Sequence, residues 1–271
     1  MSAGVAGPRR TLWDQAFLVI VAAIYVFLMF PILLVVVLSF NSGEFLAFPP
    51  EGVSLRWFGA LFSNQRFLDA LIYSLRLASI AMAVNAIIGT LAAIYVSRFA
   101  GRWRDRLRTF MTSPLLIPEI LTAIALLFYF YGLGIGTDYS LAIQIGHIVI
   151  TFPYMFLNVS TALFNFDRSQ EEAARSLGAG PWMTFRRVTL PTIKPGLITG
   201  SLFAFVISFD VFNISLLLKA LGKNTMPLEL FDYLRFNFDP TAAAIASLSI
   251  FITFGAILIV DRTVGLRSLR F

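Results

Sequence analysis

Residues Ala16 to Phe40 read AFLVIVAAIYVFLMFPILLVVVLSF, 25 positions in succession without a charged side chain. A hydrocarbon core roughly 30 Å thick needs about 20 residues of helix, so this one run is long enough to cross it. It is too long for the core of a signal peptide, and no small-residue cleavage site follows it, so it is expected to stay as a membrane anchor. Composition agrees: 58% of the 271 residues are hydrophobic, 13% are charged and the mean hydropathy is +0.81. Water-soluble domains of this size do not carry that balance.

Five more runs of comparable length follow: Ala70 to Ser97, Phe110 to Tyr131, Ser140 to Leu163, Gly196 to Leu218, and Thr241 to Val260. Backbone polar groups in lipid must pair internally, and these runs lack the short alternating pattern of a barrel, so all six are read as helices. The expectation is an all-α membrane protein: one transmembrane domain over residues 16–261, flanked by tails at 1–15 and 262–271.

The basic residues then set an orientation. Of 21 Lys and Arg, fifteen fall in the connections of one side: Arg9 and Arg10, the run from Arg98 to Arg108, the segment from Arg168 to Lys194, and Arg262 to Arg270. The other side holds Arg56, Arg66, Lys219, Lys223 and Arg235, while Arg76 lies near the outer end of the second run, where it can snorkel. Such a bias predicts both termini in the cytoplasm. It also explains the net charge of +6 without nucleic acid, because the charges do not share a soluble face. There is no cysteine and only one histidine, His147, which excludes disulfides, thiolate metal sites and a histidine cluster.

On the sparsely charged side, Asn41 to Phe67 is the longest connection. Pro49-Pro50 break it, and Ser54 is placed to cap a short helix bearing Leu55, Phe58, Leu61 and Phe62 at helical spacing beside Trp57. That helix either lies at the membrane interface or packs on the bundle.

Between the fourth and fifth runs, residues 167–195 describe two short helices joined by a tight turn. Ser169 and Glu172 have capping-box spacing, Glu171 and Glu172 fall in the first turn, and Ala173-Ala174 continue the helix. Gly178 is a natural stop, Pro181 can open the second helix, and Pro191 and Pro195 bracket its exit toward the fifth run. Local chemistry alone gives a helical elbow.

The joint spacing gives more. Glu172-Ala173-Ala174, three residues, Gly178, nine residues, Val188, one residue, then Leu190-Pro191 resembles the EAA signature of binding-protein-dependent ABC importer permeases, with Val188 where isoleucine is usual. As in that family, the segment precedes the last two spans. Gly200 to Asp210, Met226-Pro227-Leu228-Glu229-Leu230, Asp239-Pro240, Pro114 to Glu119, and Ser54 to Trp57 with Asn64 are similar to the spermidine/putrescine branch, so the likeness covers nearly the whole chain.

The resemblance implies a type I ABC importer permease fold in a bacterial inner membrane, among lipid. It implies as partners a homologous permease, identical or not, two ATP-binding subunits and a periplasmic solute-binding protein. ATP and Mg would be bound by the ATPase, with no cofactor and no catalysis in this chain. Residues 167–195 would be the coupling elbow, with Glu172, Ala173, Ala174, Gly178, Leu190 and Pro191 at the ATPase; Glu171, just outside the signature, is left with helix-end electrostatics. A polyamine such as putrescine or spermidine is the expected solute, with amino acids or opines, thiamine and ferric iron as alternatives.

Ionisable groups at membrane depth are costly and therefore informative. Glu119 follows Pro114 and Pro118, and Asp210 lies three residues before Asn213 in the fifth run. Either the two carboxylates face a central seam and line a path for a cationic solute, or they pair within the bundle, with Arg76 or with hydroxyls. Tyr129 and Tyr131 read as interfacial anchors that can double as gate residues. His147 and Gln144 share a helix face, where hydrogen bonding to a neighbouring helix outweighs proton relay. Gly89, Ala92 and Ala93 allow close helix contact.

Two other function classes lack their signatures in this sequence. A serine intramembrane protease needs a nucleophile elbow that is absent here, and Gly134-Ile135-Gly136-Thr137-Asp138 is one residue out from the G-x-G-D pattern of the aspartyl class. A secondary transporter would be favoured by inverted repeats, and none is visible. The chain has no Walker-type phosphate loop, so an ABC assignment requires a separate ATPase.

Overall fold

A computed structural model describes residues 12–137 and 140–264; Arg9, Arg10, Asp138, Arg267 and Arg270 lie outside these. The described residues form twelve α-helices: α1 (Leu12–Ser39), α2 (Arg56–Ser63), α3 (Gln65–Arg98), α4 (Arg104–Thr112), α5 (Glu119–Gly132), α6 (Ser140–Phe164), α7 (Ser169–Ser176), α8 (Pro181–Thr184), α9 (Leu190–Asp210), α10 (Asn213–Leu218), α11 (Met226–Leu234) and α12 (Thr241–Val264). Among the described residues there is no β-strand, only an isolated bridge between Asn41 and Val53.

Five helices are long and apolar enough to cross a membrane: Trp13–Ser39, Gln65–Arg98, Ser140–Phe164, Pro181–Asp210 and Thr241–Arg262. The expected span Phe110 to Tyr131 departs from a straight helix. Gly101–Leu115 and Glu119–Gly132 meet at 96°, so a sixth span exists only as a broken one. The prolines explain the break. Pro114 sits in a 3-10 turn over Ser113–Leu115, and Pro118 adopts extended backbone (ψ 130°) immediately before α5. Each removes a backbone donor, and Pro118 pushes Ile117 away from helical geometry. At 1.5 Å per residue the 14 residues of α5 extend about 21 Å, less than a hydrocarbon core.

The fifth expected span, Gly196 to Leu218, is also corrected. Helical backbone runs from Pro181 to Asp210, so Pro191 and Pro195 lie inside it and do not bracket its entry. A π-turn over Phe185–Thr189 precedes them, in which Leu190 N–H donates to the Phe185 carbonyl. Because Pro191 cannot donate to Arg187, a wider turn at this point loses little. At the other end Val211 turns extended (ψ 118°), and the chain restarts as the short α10.

The described chain divides into two compact units. The larger, Phe62–Phe236 with the segment from Ser249 onward, is organised by α3, α6 and α9, which pack pairwise. Small residues set their separation. A Cβ at Gly89 would lie 2.6 Å from Met155 Cγ, and one at Gly200 would lie 2.8 Å from Met155 Sδ. Met155 thus fills the space that two glycines leave, as expected for Gly89 beside Ala92 and Ala93. Around it Ala93, Val96, Phe156, Val159 and Ile193 are buried, while a second cluster gathers Leu77, Ala123, Phe130, Ile143 and Ile214.

The smaller unit contains residues 12–61 and Asn237–Leu248. The side chains of α1 are exposed along most of its length, which suits lipid contact. Asn41, 1% exposed, organises the loop after it. Its Oδ1 accepts from the N–H groups of Gly43 (3.1 Å) and Glu51 (3.0 Å), and its carbonyl accepts from Trp57 Nε1 at 2.8 Å. Ser54 Oγ accepts from Arg56 N–H, the first amide of α2, at 3.1 Å, one position ahead of the cap itself, since Leu55 supplies the carbonyl that accepts from Gly59.

Candidate functional site

The elbow begins at Asp167, and here the capping-box expectation fails. Ser169 is already inside α7, and its N–H (2.9 Å) and hydroxyl (2.7 Å) both donate to the Asp167 carboxylate. Those two bonds hold the Asp167 carboxyl below its usual range, the backbone one first. α7 then ends as its glycine predicts. Gly178 has φ +86°, its N–H donates to the Arg175 carbonyl at 2.9 Å, and Ala179 N–H reaches back to Ala174 at 3.0 Å. This is the Schellman pattern, in which a left-handed residue lets two amides satisfy the last carbonyls. Pro181 opens α8.

Of the signature residues, Glu172, Ala173, Gly178 and Pro191 are exposed, Ala174 and Leu190 half-buried. Leu177 (88% exposed) and Trp182 (71%) add apolar surface to the same turn, an arrangement suited to a partner's groove.

Glu171 behaves differently from its expected helix-end role. It is 8% exposed, its Oε2 accepts from Arg98 Nη1 at 2.5 Å, and its Oε1 accepts from Thr189 Oγ1 at 2.5 Å. Arg98 is the last residue of α3, and Thr189 closes the π-turn before α9. Arg168 Nη2 donates to the Ser97 carbonyl at 2.8 Å, and the Arg98 guanidinium lies 5.3 Å from the centre of the Phe166 ring. Sequence reasoning missed Arg98 and Thr189. The available signal was that Glu171 and Ala174 share a face of an eight-residue helix, turned about 100° from Glu172, on the side where Arg98 follows the second run.

The second grouping lies where two helices are interrupted. Glu119 occupies the first position of α5, and its Oε1 accepts from the N–H of Ile214 at 3.3 Å, at the start of α10. The structure therefore brings Glu119 to the backbone N–H of Ile214, and among the described residues its hydrogen-bond partner is neither Arg76 nor a hydroxyl. Asp210 is the last residue of α9, three positions before Asn213, and Thr253 of α12 donates a hydrogen bond to its side chain. Tyr129 does not join them. It lies ten residues along α5, about 15 Å away at helical rise, exposed and edge-on to Phe130. His147 is buried, with Nδ1 2.8 Å from Ser208 Oγ and Nε2 3.2 Å from Ser215 Oγ, and Gln144 donates to the Leu77 carbonyl at 3.2 Å. Helix-to-helix hydrogen bonding is thus what this pair does.

At the end of α3 remote from the elbow, a cleft of about 710 Å³ is lined by Arg76, Tyr73 and Asp69 of α3, Lys219, and Glu229 and Asp232 of α11. Asn224 Nδ2 donates to Glu229 (2.7 Å) and Asp232 (3.1 Å), while Lys219 Nζ donates to its Oδ1 at 2.9 Å. The charges there are of both signs, and Asn224 links Lys219 to Glu229 and Asp232.

Comparison with known proteins adds the family. Residues 85–265 match the family described as "Binding-protein-dependent transport system inner membrane component". The chain is 35% identical over 231 residues to the putrescine transport system permease protein PotI of Escherichia coli (strain K12), covering 83% of this chain and 82% of that one. It is 28% identical over 236 residues to the spermidine/putrescine transport system permease protein PotC of Haemophilus influenzae, covering 87% and 91%. Among solved structures, a bacterial alginate ABC transporter in complex with alginate pentasaccharide-bound periplasmic protein aligns with a TM-score of 0.73 at 14% identity, over 93% of this chain and 94% of that one. The chain belongs to the family of binding-protein-dependent transport system inner-membrane components, the membrane permeases of ABC importers, which are not themselves enzymes.

Proposed function

We propose that this chain carries a polyamine, putrescine or spermidine, across the bacterial inner membrane. The observation that carries the solute class is the 35% identity to a putrescine permease over 83% of the chain. The carboxylates of Glu119 and Asp210 at the two helix interruptions support it, since they offer acceptors to an ammonium and would repel an oxyanion.

In this reading the arginine-rich elbow and both termini face the cytoplasm, and the cleft around Asn224 faces the periplasm. The chain pairs with a homologous permease, and a periplasmic solute-binding protein delivers the cargo. One of two ATP-binding subunits receives Glu172, Ala173, Ala174 and Gly178 with the exposed Leu177 and Trp182, and Leu190 and Pro191 carry the elbow's movement into α9. ATP and Mg are held by those subunits. Nucleotide-driven closure opens the pathway outward, and hydrolysis returns it inward, as a rigid elbow moves with the helices it joins.

The test is a solute panel titrated onto the partner binding protein, followed by uptake into vesicles holding the whole complex. Tight binding and ATP-dependent uptake of putrescine or spermidine are expected. Uptake of an amino acid, opine, thiamine or ferric iron in place of polyamines would overturn the solute and leave the permease.

A further inference from the structure

The elbow is continuous in chain with α6 and α9, but α3 reaches it only through side chains. α7 has eight residues, too few to hold a position by helix formation alone. Its amides and carbonyls are satisfied locally, by Asp167 at one end and the Gly178 turn at the other, so they fix its shape and leave its attachment open. Attachment comes from the α7 side that carries Glu171.

Both Glu171 oxygens are used: one by Arg98 at the end of α3, one by Thr189 in the π-turn that leads into α9. Both side chains of the ion pair are almost withdrawn from solvent, 12% exposed for Arg98 and 11% for Glu171. In such surroundings a lone carboxylate or guanidinium is strongly disfavoured, so each holds the other in place. Arg168 adds a bond from the same turn to the Ser97 carbonyl. α3 and α9 also pack on each other along the bundle, so a clasp at their ends joins parts that already touch.

We infer that Glu171 is the positioning residue of the coupling elbow, clasping α7 to the ends of both α3 and α9 so that a displacement of the elbow moves the two membrane helices as one body. The inference rests on the permease reading above. Glu172, next in sequence but exposed, is left to face the ATPase; Glu171 faces the membrane domain. Without the clasp, an elbow pushed by the ATPase drags α6 and α9 through the chain while the elbow end of α3 follows only through packing, and hydrolysis is spent without a full turnover.

The test uses the complete complex in vesicles, with solute imported per ATP hydrolysed as one readout. Glu171→Gln removes the charge and keeps the shape; it is expected to lower that ratio about five-fold, the low end of a typical coupling energy. Arg98→Glu alone is expected to do the same, and the exchange Arg98→Glu with Glu171→Arg to restore at least half of the ratio.

The second readout is a distance, and the cysteine-free chain suits it. Spin labels at the exposed Gln170 and Phe99 are expected to give one narrow distance distribution with and without ATP, broadening in Glu171→Gln. An unchanged ratio in Glu171→Gln overturns the inference. So does a lowered ratio with an unchanged distance and no recovery in the exchange, because Glu171 would then act by packing or by touching the ATPase. If the unaltered complex imports nothing with ATP, the permease reading itself fails, while the label distance still reports whether the clasp exists.

Discussion

Two glutamates in this chain each bridge separate helices, and they do so in opposite ways. Glu171 spends both oxygens on side-chain donors at 2.5 Å and is 8% exposed. Glu119 offers one oxygen to a backbone amide at 3.3 Å and remains half-exposed. A buried carboxylate with two partners is committed to holding its surroundings. A carboxylate with one long bond retains lone pairs for something that comes and goes. The same residue type thus serves as a fastening at the elbow and as an available acceptor at the broken helices.

The largest effect is expected at the elbow's turn. Gly178 has φ +86°, and nothing lies within 4 Å of the position a Cβ would take, so the constraint is conformational and not steric crowding. A left-handed conformation costs about 1–2 kcal/mol for an ordinary residue and more for a β-branched one. Gly178→Val is therefore expected to lower ATP-dependent uptake about ten-fold or more, at unchanged membrane insertion, whereas Gly178→Asn stays within about three-fold because asparagine tolerates this region. Equal losses in the two variants would show that the turn's handedness is not what matters.

A smaller effect separates the two oxygens of Glu171. Thr189→Val is nearly isosteric and leaves Oε1 buried without its donor, at a cost of about 1–3 kcal/mol. Thermal unfolding of the purified chain should show it, with Thr189→Ser close to wild type. A neutral Thr189→Val would mean that Arg98 alone secures the elbow.

At the broken helices the expectation moves from stability to affinity. Glu119→Gln keeps a side-chain oxygen for Ile214 N–H, and Asp210→Asn keeps one for Thr253, so both variants should fold. For a cationic solute each lost charge is expected to raise the uptake KM about five-fold, roughly 1 kcal/mol for a charge pair about 4 Å apart in a water-filled path, and less at high salt. An unchanged KM with lowered stability would return both residues to a packing role.

The elbow was the most legible part of the sequence and its anchoring the least. Gly178 and Pro181 announce a stop and a start because their backbone chemistry is local, and long apolar runs announce spans for the same reason. The interruptions were legible only in part. Pro114 and Pro118 mark a weakness, but whether two prolines kink a helix or fold it through 96° depends on what packs nearby. The stop at Val211 has no proline or glycine to mark it, so Gly196 to Leu218 reads as one run although it is two helices. The anchoring role of Glu171 is not legible because 73 residues separate it from Arg98, and an ion pair between distant segments leaves no local pattern.

The smallest effect is expected at Asp167, and it carries a sign in pH. Its carboxyl is held below the usual range by Ser169, so the folded form prefers the charged side chain. The bonds therefore contribute fully above the ordinary carboxylate value of 3.8 and are lost as pH falls through the lower, folded one. Hydrogen exchange at the Ser169 amide, corrected for its intrinsic rate, should show protection that disappears in that window. Asp167→Asn keeps an acceptor but nothing to titrate, so its protection should stay flat with pH, and Asp167→Ala should be unprotected throughout. Because the Asp167 carboxylate is fully exposed, water competes for both bonds, and uptake in Asp167→Ala should stay near wild type. Were Asp167→Ala to impair uptake as severely as Gly178→Val, the elbow would owe its rigidity to its solvent-facing start, and the contrast between the fastened Glu171 and the available Glu119 would no longer explain how it is held.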